Sequence, residues 1–285
     1  MTIPIHTPVT GPQGPEAYPS LTGRSIIVTG GGQGIGRCMA LALAERGSNV
    51  LATAARDANS LIETAALSAG LDGRLVTMQA DICDPEDCAR TVERALAEFG
   101  ELHALVNNAA RGIAYVREPS AGEALPFWEI DGARWAEAMI TNVIGTFQMS
   151  AAAGRHMIAQ RFGRIVNVST SDRSMIRAFN SPYGPSKAAL EAMSVAWTQE
   201  AAEHCVTVNV LLPGGATQTR MITGVTKRAP LPPTVLNPAI LWLCSDDSKD
   251  HTGGRYVASA WDSTASPSAA AEGARQPAHD MPVIM

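Results

Sequence analysis

The chain has 285 residues, of which 46% are hydrophobic and 17% are charged, and its formal net charge at pH 7 is −5. A chain of this length can bury a large core within one domain, and mild acidity gives no charge-based reason to expect nucleic-acid or membrane partners. No apolar run approaches the roughly 20 residues that span a bilayer.

The cysteines and the first residues bear on the compartment in which the protein works. Five cysteines are dispersed without the CxxC spacing of a zinc site, and an odd, scattered set is typical of reduced thiols. Residues 1–20 are rich in Pro and Gly and lack the basic start and apolar centre of a secretory signal. We therefore expect a flexible N-terminal arm, a cytoplasmic location and no metal site.

From Ser25 onward, short β-branched segments alternate with longer Ala- and Leu-rich segments. Most of the short segments are continuous apolar runs, which is typical of strands buried on both faces of a parallel sheet. Asp84-Pro85 supplies an N-cap and a first-turn proline for one of the helices. The predicted strands are 25–29, 49–53, 74–79, 104–107, 164–168, 206–211 and 255–258, and the predicted helices are 35–46, 60–69, 85–99, 133–160 and 182–203.

This alternation predicts the fold class. Repeated βα units favour an α/β fold, namely a doubly wound Rossmann-type parallel sheet of about seven strands with helices on both faces. We expect one domain over residues 21–262. The tail, residues 263–285, is rich in Ala, Ser and Pro, and we expect it to be weakly ordered.

Two long connections interrupt the alternation, at residues 111–131 and 214–233. Both follow predicted strand ends, where ligands bind in open α/β sheets, and long loops in compact domains are usually functional. We expect the two loops to shape a substrate pocket. Apolar residues within them indicate a small or medium-sized hydrophobic substrate, although the same residues could simply anchor the loops; they are Ile113, Phe127, Trp128 and Met221.

A glycine-rich turn joins the first strand to the first helix: Thr29-Gly30-Gly31-Gly32-Gln33-Gly34-Ile35-Gly36. Glycines let the backbone turn sharply and approach a pyrophosphate, whose charge is then stabilised by amides at a helix N-terminus. A P-loop would need Lys followed by Ser or Thr after the last glycine, and Arg37-Cys38 stands there instead. The turn predicts a dinucleotide site; the alternative is a tight turn without a ligand.

The segment Tyr183-Gly-Pro-Ser-Lys187 lies at the start of a predicted helix. Residues four apart lie on the same helix face. A nearby Lys ammonium would lower the pKa of the phenol, so that Tyr183 could exchange a proton with a substrate oxygen. In isolation, such a pair is more often an ordinary surface pair than a catalytic one.

The glycine turn and the Tyr/Lys pair, in this order, resemble the short-chain dehydrogenase/reductase family from about Gly23 to Asp262. The resemblance implies that Asn142, in Asn-Val-x-Gly, is the active-site Asn, which holds a water that links the Lys to solvent. Asn107-Asn108-Ala109-Ala110 resembles the family's NNAG turn, although Ala110 replaces its glycine. Pro213-Gly214 resembles the Pro-Gly beside the nicotinamide, and Lys187 would also bind the nicotinamide ribose.

The resemblance assigns the cofactor contacts residue by residue. Asp81, after the third strand, would contact the adenine. The full set of predicted contacts is Gly30, Gln33, Gly34, Ile35, Gly36, Arg56, Asp81, Ile82, Asn108, Ala109, Tyr183, Lys187, Pro213, Gly214 and Thr217.

Three adjacent residues are candidates for the hydroxyl that would orient the substrate. The family places a Ser 13 residues before the Tyr, and Thr170 stands there, flanked by Ser169 and Ser171. Thr170 can donate the same hydrogen bond. A small backbone irregularity would instead present Ser171, whereas Ser169 has strand-end capping as its alternative role.

The end of the second strand bears on the choice between NAD and NADP. Ala54 stands where NAD-preferring relatives carry Asp, and Arg56 is one residue beyond the usual phosphate-binding Arg. Asp57 could partly cancel the charge of Arg56. This pattern favours NADP and leaves NAD open.

The leading hypothesis is hydride transfer between a nicotinamide cofactor and a carbonyl or secondary alcohol of a small molecule. Asn142, Thr170 or Ser171, Tyr183 and Lys187 would form the catalytic set. The alternatives are a non-catalytic NAD(P)-binding protein and an epimerase or dehydratase on the same scaffold. The resemblance implies a homodimer or homotetramer that pairs through helices 133–160 and 182–203, whose small residues would permit close helix approach.

Overall fold

One twisted sheet forms the centre of the protein in a computed structural model, which describes residues 11–14, 16–116, 125–219, 221 and 229–276. Eight strands in the order β3-β2-β1-β4-β5-β6-β7-β8 build the sheet. The first seven are parallel, and β8 pairs antiparallel with β7. The strands are β1 Ser25–Thr29, β2 Asn49–Ala54, β3 Leu75–Gln79, β4 Ala104–Asn107, β5 Gly163–Val168, β6 Val206–Leu212, β7 Arg255–Val257 and β8 Arg275–Gln276.

Helices connect the strands and cover both faces of the sheet. They are α1 Gly34–Glu45, α2 Ala58–Leu67, α3 Pro85–Phe99, α4 Gly132–Met139, α5 Thr146–Gln160, α6 Asp172–Ile176, α7 Tyr183–Ala201, α8 Asn237–Cys244 and α9 Pro267–Ala274. The predicted doubly wound α/β fold is confirmed.

The sheet separates two hydrophobic cores, and the strand pleat decides which residue enters which. Successive side chains of a strand point to opposite faces. In β1, Ile26 and Val28 therefore join the core under α1 and α8, whereas Ile27 joins the core under α3 and α5. Because both faces of the sheet are buried, Ile26, Ile27 and Val28 in β1 are all apolar.

The sheet order reverses beside β1, and this reversal positions the site. From β1 the chain winds outward to β2 and β3, then returns to β4 on the other side of β1. The helices and loops that follow β1 and β4 diverge there and leave a crevice at the carboxyl ends of the strands, where open α/β sheets bind ligands.

The single helix predicted over residues 133–160 is interrupted. A π-helical segment, Ile140–Gly145, separates α4 from α5. Asn142 and Gly145 are weak helix formers, and a Cβ on Gly145 would lie 2.8 Å from Cγ1 of Ile82. The wider turn lets this segment pass close to the end of β3, and π-turns of this kind are frequent at functional sites.

The two ends of the described chain are more ordered than the sequence predicts. Gln13 and Tyr18 are buried, and α9 and β8 extend through residues for which a weakly ordered tail was expected. Gln13 Nε2 donates to the carbonyl of Asp262 at 3.0 Å, and Trp261 Nε1 donates to Gln13 Oε1 at 2.7 Å. These long-range contacts, which no local pattern reveals, fix both ends; residues 1–10 and 277–285 lie outside the described residues.

The two predicted substrate loops are described in part. Ile113–Tyr115 and Phe127–Glu129 form short 3₁₀ turns in the first loop. In the second, Thr217 pairs with Leu231 in an isolated β-bridge. Residues 117–124, 220 and 222–228 lie outside the described residues.

Candidate active site

The glycine turn after β1 is hydrogen-bonded to the segment that follows β4. Thr29 Oγ1 accepts hydrogen bonds from the backbone N–H groups of Asn108 at 3.0 Å and Ala109 at 3.1 Å. Asn108 Nδ2 in turn donates to the carbonyls of Thr29 and Gly30 at 2.9 and 3.2 Å. The predicted residues Gly30, Asn108 and Ala109 are thus neighbours. Thr29 was not among the predicted site residues, and its place in the Thr-Gly motif is the signal that could have found it.

The first helix offers backbone donors to the crevice. Gly30 and Gly34 have positive φ values, of 65° and 54°, which glycine adopts readily. Gln33 precedes α1 and makes no side-chain capping hydrogen bond. The first N–H groups of a helix lack intrahelical partners and favour an anion, so a phosphate fits at this turn.

Arg37 braces the outer side of the same turn. Its Nε donates to the carbonyl of Gly32 at 2.8 Å and to Oγ1 of Thr64 at 2.9 Å. Nη2 donates to the carbonyl of Ser60 at 3.0 Å. Arg37, which stands where a P-loop would carry Lys, therefore joins the glycine turn to α2.

A cleft extends from the glycine turn across the ends of β2, β3 and β4. Its walls include six of the predicted cofactor contacts, namely Gly30, Gln33, Arg56, Asp81, Ile82 and Ala109. Asp81 Oδ1 accepts from the backbone N–H of Cys83 at 2.9 Å, which fixes the carboxylate. Arg56 is exposed at the rim, and the Asp57 side chain accepts from the backbone N–H of Ser60 at the start of α2. The cleft suits the adenosine half of a dinucleotide.

Arg111 and Asn142 form the wall between this cleft and α7. Asn142 is fully buried, and its Oδ1 accepts from the backbone N–H of Arg111 at 2.7 Å. Asn142 Nδ2 donates to the carbonyl of Arg111 at 3.0 Å and to Oγ of Ser186 at 2.9 Å. Ser186 Oγ donates to the carbonyl of Tyr183 at 2.7 Å. Asn142 thus connects the loop after β4 to the start of α7.

Tyr183 and Lys187 lie one turn apart on α7, beside the end of β5. Lys187 is only 4% exposed, and its Nζ donates to the carbonyl of Val168 at 2.7 Å. Burial lowers the pKa of Lys187 to about 8, and the nearby carboxylate of Glu191 opposes this shift.

The pKa of Tyr183 differs from the expectation. A lowered pKa was expected from the Lys187 ammonium, whereas burial raises the pKa of the phenol and a side-chain hydrogen bond with Thr170 opposes the rise. Lys187 Nζ lies 5.9 Å from the centroid of the Tyr183 ring and is bonded to Val168 instead. Desolvation therefore outweighs the opposing interaction with Thr170.

The three hydroxyls after β5 have different partners. The side chain of Thr170 interacts with the Tyr183 phenol and opposes the rise of its pKa. Ser171 caps α6, where its Oγ accepts from the backbone N–H of Ser174 at 3.3 Å. Ser169 Oγ donates to Oε1 of Glu191 at 2.5 Å. Among the three, Thr170 is the one that lies against the phenol.

The segment after β6 lies across the crevice. Gly214 has a φ of 86°, and a Cβ there would lie 2.0 Å from Oγ of Ser259. Further along, Thr219 and Met221 lie next to Gly34 and Gly112, where an added Cβ would come within 3.3 and 2.2 Å of their side chains. Thr217, which is predicted to contact the cofactor, is buried in this segment. Thr219 was not among the predicted residues.

The described residues contain neither a metal-site cluster nor a helix that could span a membrane. No group of three or more His, Cys, Asp or Glu side chains there has the arrangement of a metal site. No helix in the same part of the chain is long and apolar enough to span a membrane.

Comparisons with known proteins agree on one family. A family model for short chain dehydrogenases matches residues 24–229. A short-chain type dehydrogenase/reductase of Picea abies is 31% identical over 215 residues, which cover 73% of this chain and 76% of that protein. Glucose 1-dehydrogenase 2 of Bacillus subtilis is 28% identical over 250 residues, covering 83% and 93% of the two chains. The crystal structure of a short-chain type dehydrogenase/reductase from Mycobacterium marinum has a TM-score of 0.75 at 25% identity, and the match covers 86% of this chain and 97% of that one.

Proposed function

The chain belongs to the short-chain dehydrogenase/reductase family of oxidoreductases, and we propose that it transfers a hydride between NAD(P) and the carbonyl or secondary alcohol carbon of a small molecule. The observation that carries this proposal is the contact of Thr170 with Tyr183, one helical turn from a buried Lys187. A hydroxyl pair beside a buried ammonium is suited to hold and protonate one substrate oxygen.

The residues around the crevice fit the cofactor. The uncapped start of α1 and the glycine turn, where no side chain comes between the backbone and a ligand, suit the pyrophosphate, and the cleft lined by Asp81, Ile82 and Ala109 suits the adenosine. Ile35, Gly36, Pro213, Gly214 and Thr217 remain predicted contacts for the rest of the cofactor. When bound, the nicotinamide supplies the hydride for reduction and accepts it in oxidation.

The side chains supply positioning and the proton. In reduction, Thr170 donates a hydrogen bond to the carbonyl oxygen, and Tyr183 Oη delivers a proton to the same oxygen as negative charge develops on it. The Lys187 ammonium stabilises the tyrosinate that remains. Asn142, through Ser186 and the carbonyl of Tyr183, holds the first turn of α7 in place.

A panel of ketones and secondary alcohols tests the proposal, with each cofactor and with the absorbance of the reduced nicotinamide as the signal. Turnover of at least one class with net cofactor conversion supports a dehydrogenase. Tight cofactor binding without turnover across the panel would favour the non-catalytic alternative. Substrate conversion without net absorbance change would favour the epimerase or dehydratase alternative.

The choice between Thr170 and Ser171 has its own test. We expect Thr170→Ala to lower kcat about 10²- to 10³-fold, because one donor to the developing oxyanion is lost. Ser171→Ala should keep kcat near the wild-type value and lower the free energy of unfolding by about 1 kcal/mol, because α6 loses its N-cap. Steady-state kinetics and denaturant unfolding of both variants distinguish the roles, and the reverse pattern would assign the substrate to Ser171.

For the cofactor we propose a preference for NADP, supported by the absence of a carboxylate at Ala54 and by Arg56 at the rim of the cleft. Arg56→Ala should weaken NADP binding about 10- to 100-fold, since a charge-assisted hydrogen bond contributes about 1.5–3 kcal/mol. NAD, which lacks the 2′-phosphate, serves as the internal control and should bind unchanged. Titration calorimetry measures both constants, and an unchanged NADP affinity would contradict the preference.

We also propose a homodimer or homotetramer that pairs through α4, α5 and α7. Large apolar side chains of the π-helical segment and these helices are partly exposed, which supports a covered surface; they are Trp135, Ile140, Ile144, Phe147 and Val195. Phe127 and Trp128 are also exposed, at 75% and 72%, in the first substrate loop, which supports a hydrophobic substrate class.

A further inference from the structure

Three consecutive residues at the exit of β5 are each held by a different charged side chain. Lys187 Nζ donates to the carbonyl of Val168 at 2.7 Å. Ser169 Oγ donates to Oε1 of Glu191 at 2.5 Å. Arg255 Nη2, from β7, donates to the carbonyl of Thr170 at 2.9 Å. The backbone that carries Thr170 is thus fixed residue by residue.

Glu191 and Arg255, which hold Ser169 and Thr170, are also paired with each other. Arg255 Nε donates to Oε2 of Glu191 at 2.9 Å, and the two side chains are only 13% and 19% exposed. The guanidinium also pairs with Oδ1 of Asp172, at the start of α6, at 2.5 Å. Because a guanidinium presents several donors in one rigid plane, a single arginine can hold Glu191, Thr170 and Asp172 together. A lysine cannot reproduce this geometry.

The Glu191–Arg255 pair contacts the backbone of Thr170, whose side chain interacts with Tyr183. Tyr183, Lys187 and Glu191 recur every four residues and therefore share one face of α7. Arg255 holds the main chain of Thr170, while the side chain of Thr170 reaches Tyr183. Displacement of a reacting group by about 1 Å can cost about 10²-fold in rate. Neither Glu191 nor Arg255 is marked by any local sequence pattern.

We propose that Arg255 and Glu191 are positioning residues, which hold Thr170 against Tyr183 for the reaction. This inference rests on the proposed function. The charged and titratable groups around Lys187 are Tyr183 and Glu191 on α7, Arg255 from β7 through Glu191, and Asp172 from α6 through Arg255. Glu191 therefore has a second effect, since its negative charge favours the ammonium form of Lys187.

Arg255→Met tests the positioning role. We expect kcat to fall about 10- to 100-fold, because Thr170 loses the contact that fixes its carbonyl. The cofactor dissociation constant should stay within twofold, since Arg255 does not line the adenosine cleft. Arg255→Lys should have an intermediate kcat, because the ammonium can still pair with Glu191. Arg94→Met is the matched control: Arg94 is half-exposed and pairs with Glu98 on α3, and loss of this pair should leave kcat unchanged.

Glu191→Gln should change the pH dependence of kcat, which a purely structural role of Glu191 would leave unchanged. Without the carboxylate, the pKa of Lys187 should fall further below about 8. The alkaline limb of the pH profile of kcat for carbonyl reduction, where the ammonium is lost, should therefore move to lower pH. The Arg94→Met profile should coincide with that of the wild type.

Three results would overturn the inference. The first is a kcat of Arg255→Met within twofold of wild type. The second is a parallel loss of kcat, cofactor affinity and thermal stability in both Arg255 variants, which would show a role in folding alone. The third is an unshifted pH profile in Glu191→Gln.

Hydrogen exchange separates this inference from the proposed function, because it needs no substrate. Amides of a peptide spanning residues 168–174 should exchange at least tenfold faster in Arg255→Met than in wild type and Arg94→Met. Unchanged protection overturns the positioning role even if turnover is found. Absence of any wild-type turnover would instead count against the proposed function.

Discussion

Replacing Tyr183 by Phe should lower kcat for carbonyl reduction about 10²- to 10⁴-fold, the range that a positioned general acid contributes. The phenol proton is lost while the ring remains, so the packing of α7 against β5 should persist. The cofactor dissociation constant is expected to stay within about threefold, because the cleft walls that include Asp81 and Ala109 are untouched. Stopped-flow measurement of a single turnover with bound reduced cofactor isolates this step.

Tyr256→Phe is the matched control for that experiment. Among the described residues the buried hydroxyl of Tyr256 has no hydrogen-bond partner, and the ring packs on Trp242. Its removal should leave kcat unchanged. Wild-type turnover in Tyr183→Phe, or an equal loss in the two variants, would contradict the role of Tyr183 as the acid.

The second large effect is expected at the glycine turn. In Gly36→Ala, the new Cβ would lie 2.2 Å from the carbonyl oxygen of Gly30 and 2.4 Å from Nδ2 of Asn108. Both atoms belong to the hydrogen-bonded junction of β1 and β4, so the turn itself must shift. We expect the free energy of unfolding to fall by about 1–3 kcal/mol. The dissociation constant for either cofactor should rise at least about 10-fold, because one or two charge-assisted hydrogen bonds to phosphate are lost.

Gly273→Ala provides the comparison at a glycine without such constraints. Gly273 lies inside α9, and an added Cβ would meet nothing within 4 Å among the described residues. Alanine there should raise the free energy of unfolding by about 0.5–1 kcal/mol and leave cofactor affinity unchanged. Denaturant unfolding and titration calorimetry measure both quantities. A Gly36→Ala variant that binds cofactor as tightly as wild type would refute the assignment of the turn.

Much of the fold could be predicted because buried parallel strands and capped helices leave local signals. β1 and β4 begin and end where the apolar runs do, and α3 begins at Pro85, with Asp84 accepting a hydrogen bond from the backbone N–H of Glu86. Each signal is set by burial or by backbone hydrogen bonding within a few residues of sequence. Local pattern and tertiary structure therefore agree in these elements.

What could not be predicted depends on contacts between distant parts of the chain. The π-helical segment contains Asn142, which bonds to Arg111, 31 residues away. The pKa of Tyr183 depends on the depth of burial beside β5, which the motif does not reveal. The pairing of Glu191 with Arg255 spans 64 residues. The motif identified candidate side chains, but only the fold shows which hydroxyl lies against the phenol.

A hydrogen bond between Gln13 and Trp261 joins two segments from opposite ends of the described chain. Residues 248 positions apart in sequence share a buried hydrogen bond, and Arg46 also donates to the carbonyls of Gln13 and Gly14. A shortened variant that begins after these residues would leave the indole N–H of Trp261 and the guanidinium of Arg46 buried without these acceptors, at a cost of about 1–3 kcal/mol for each lost partner. Loss of the segment around Gln13 is therefore expected to weaken the packing around Trp261, although the two are far apart in sequence.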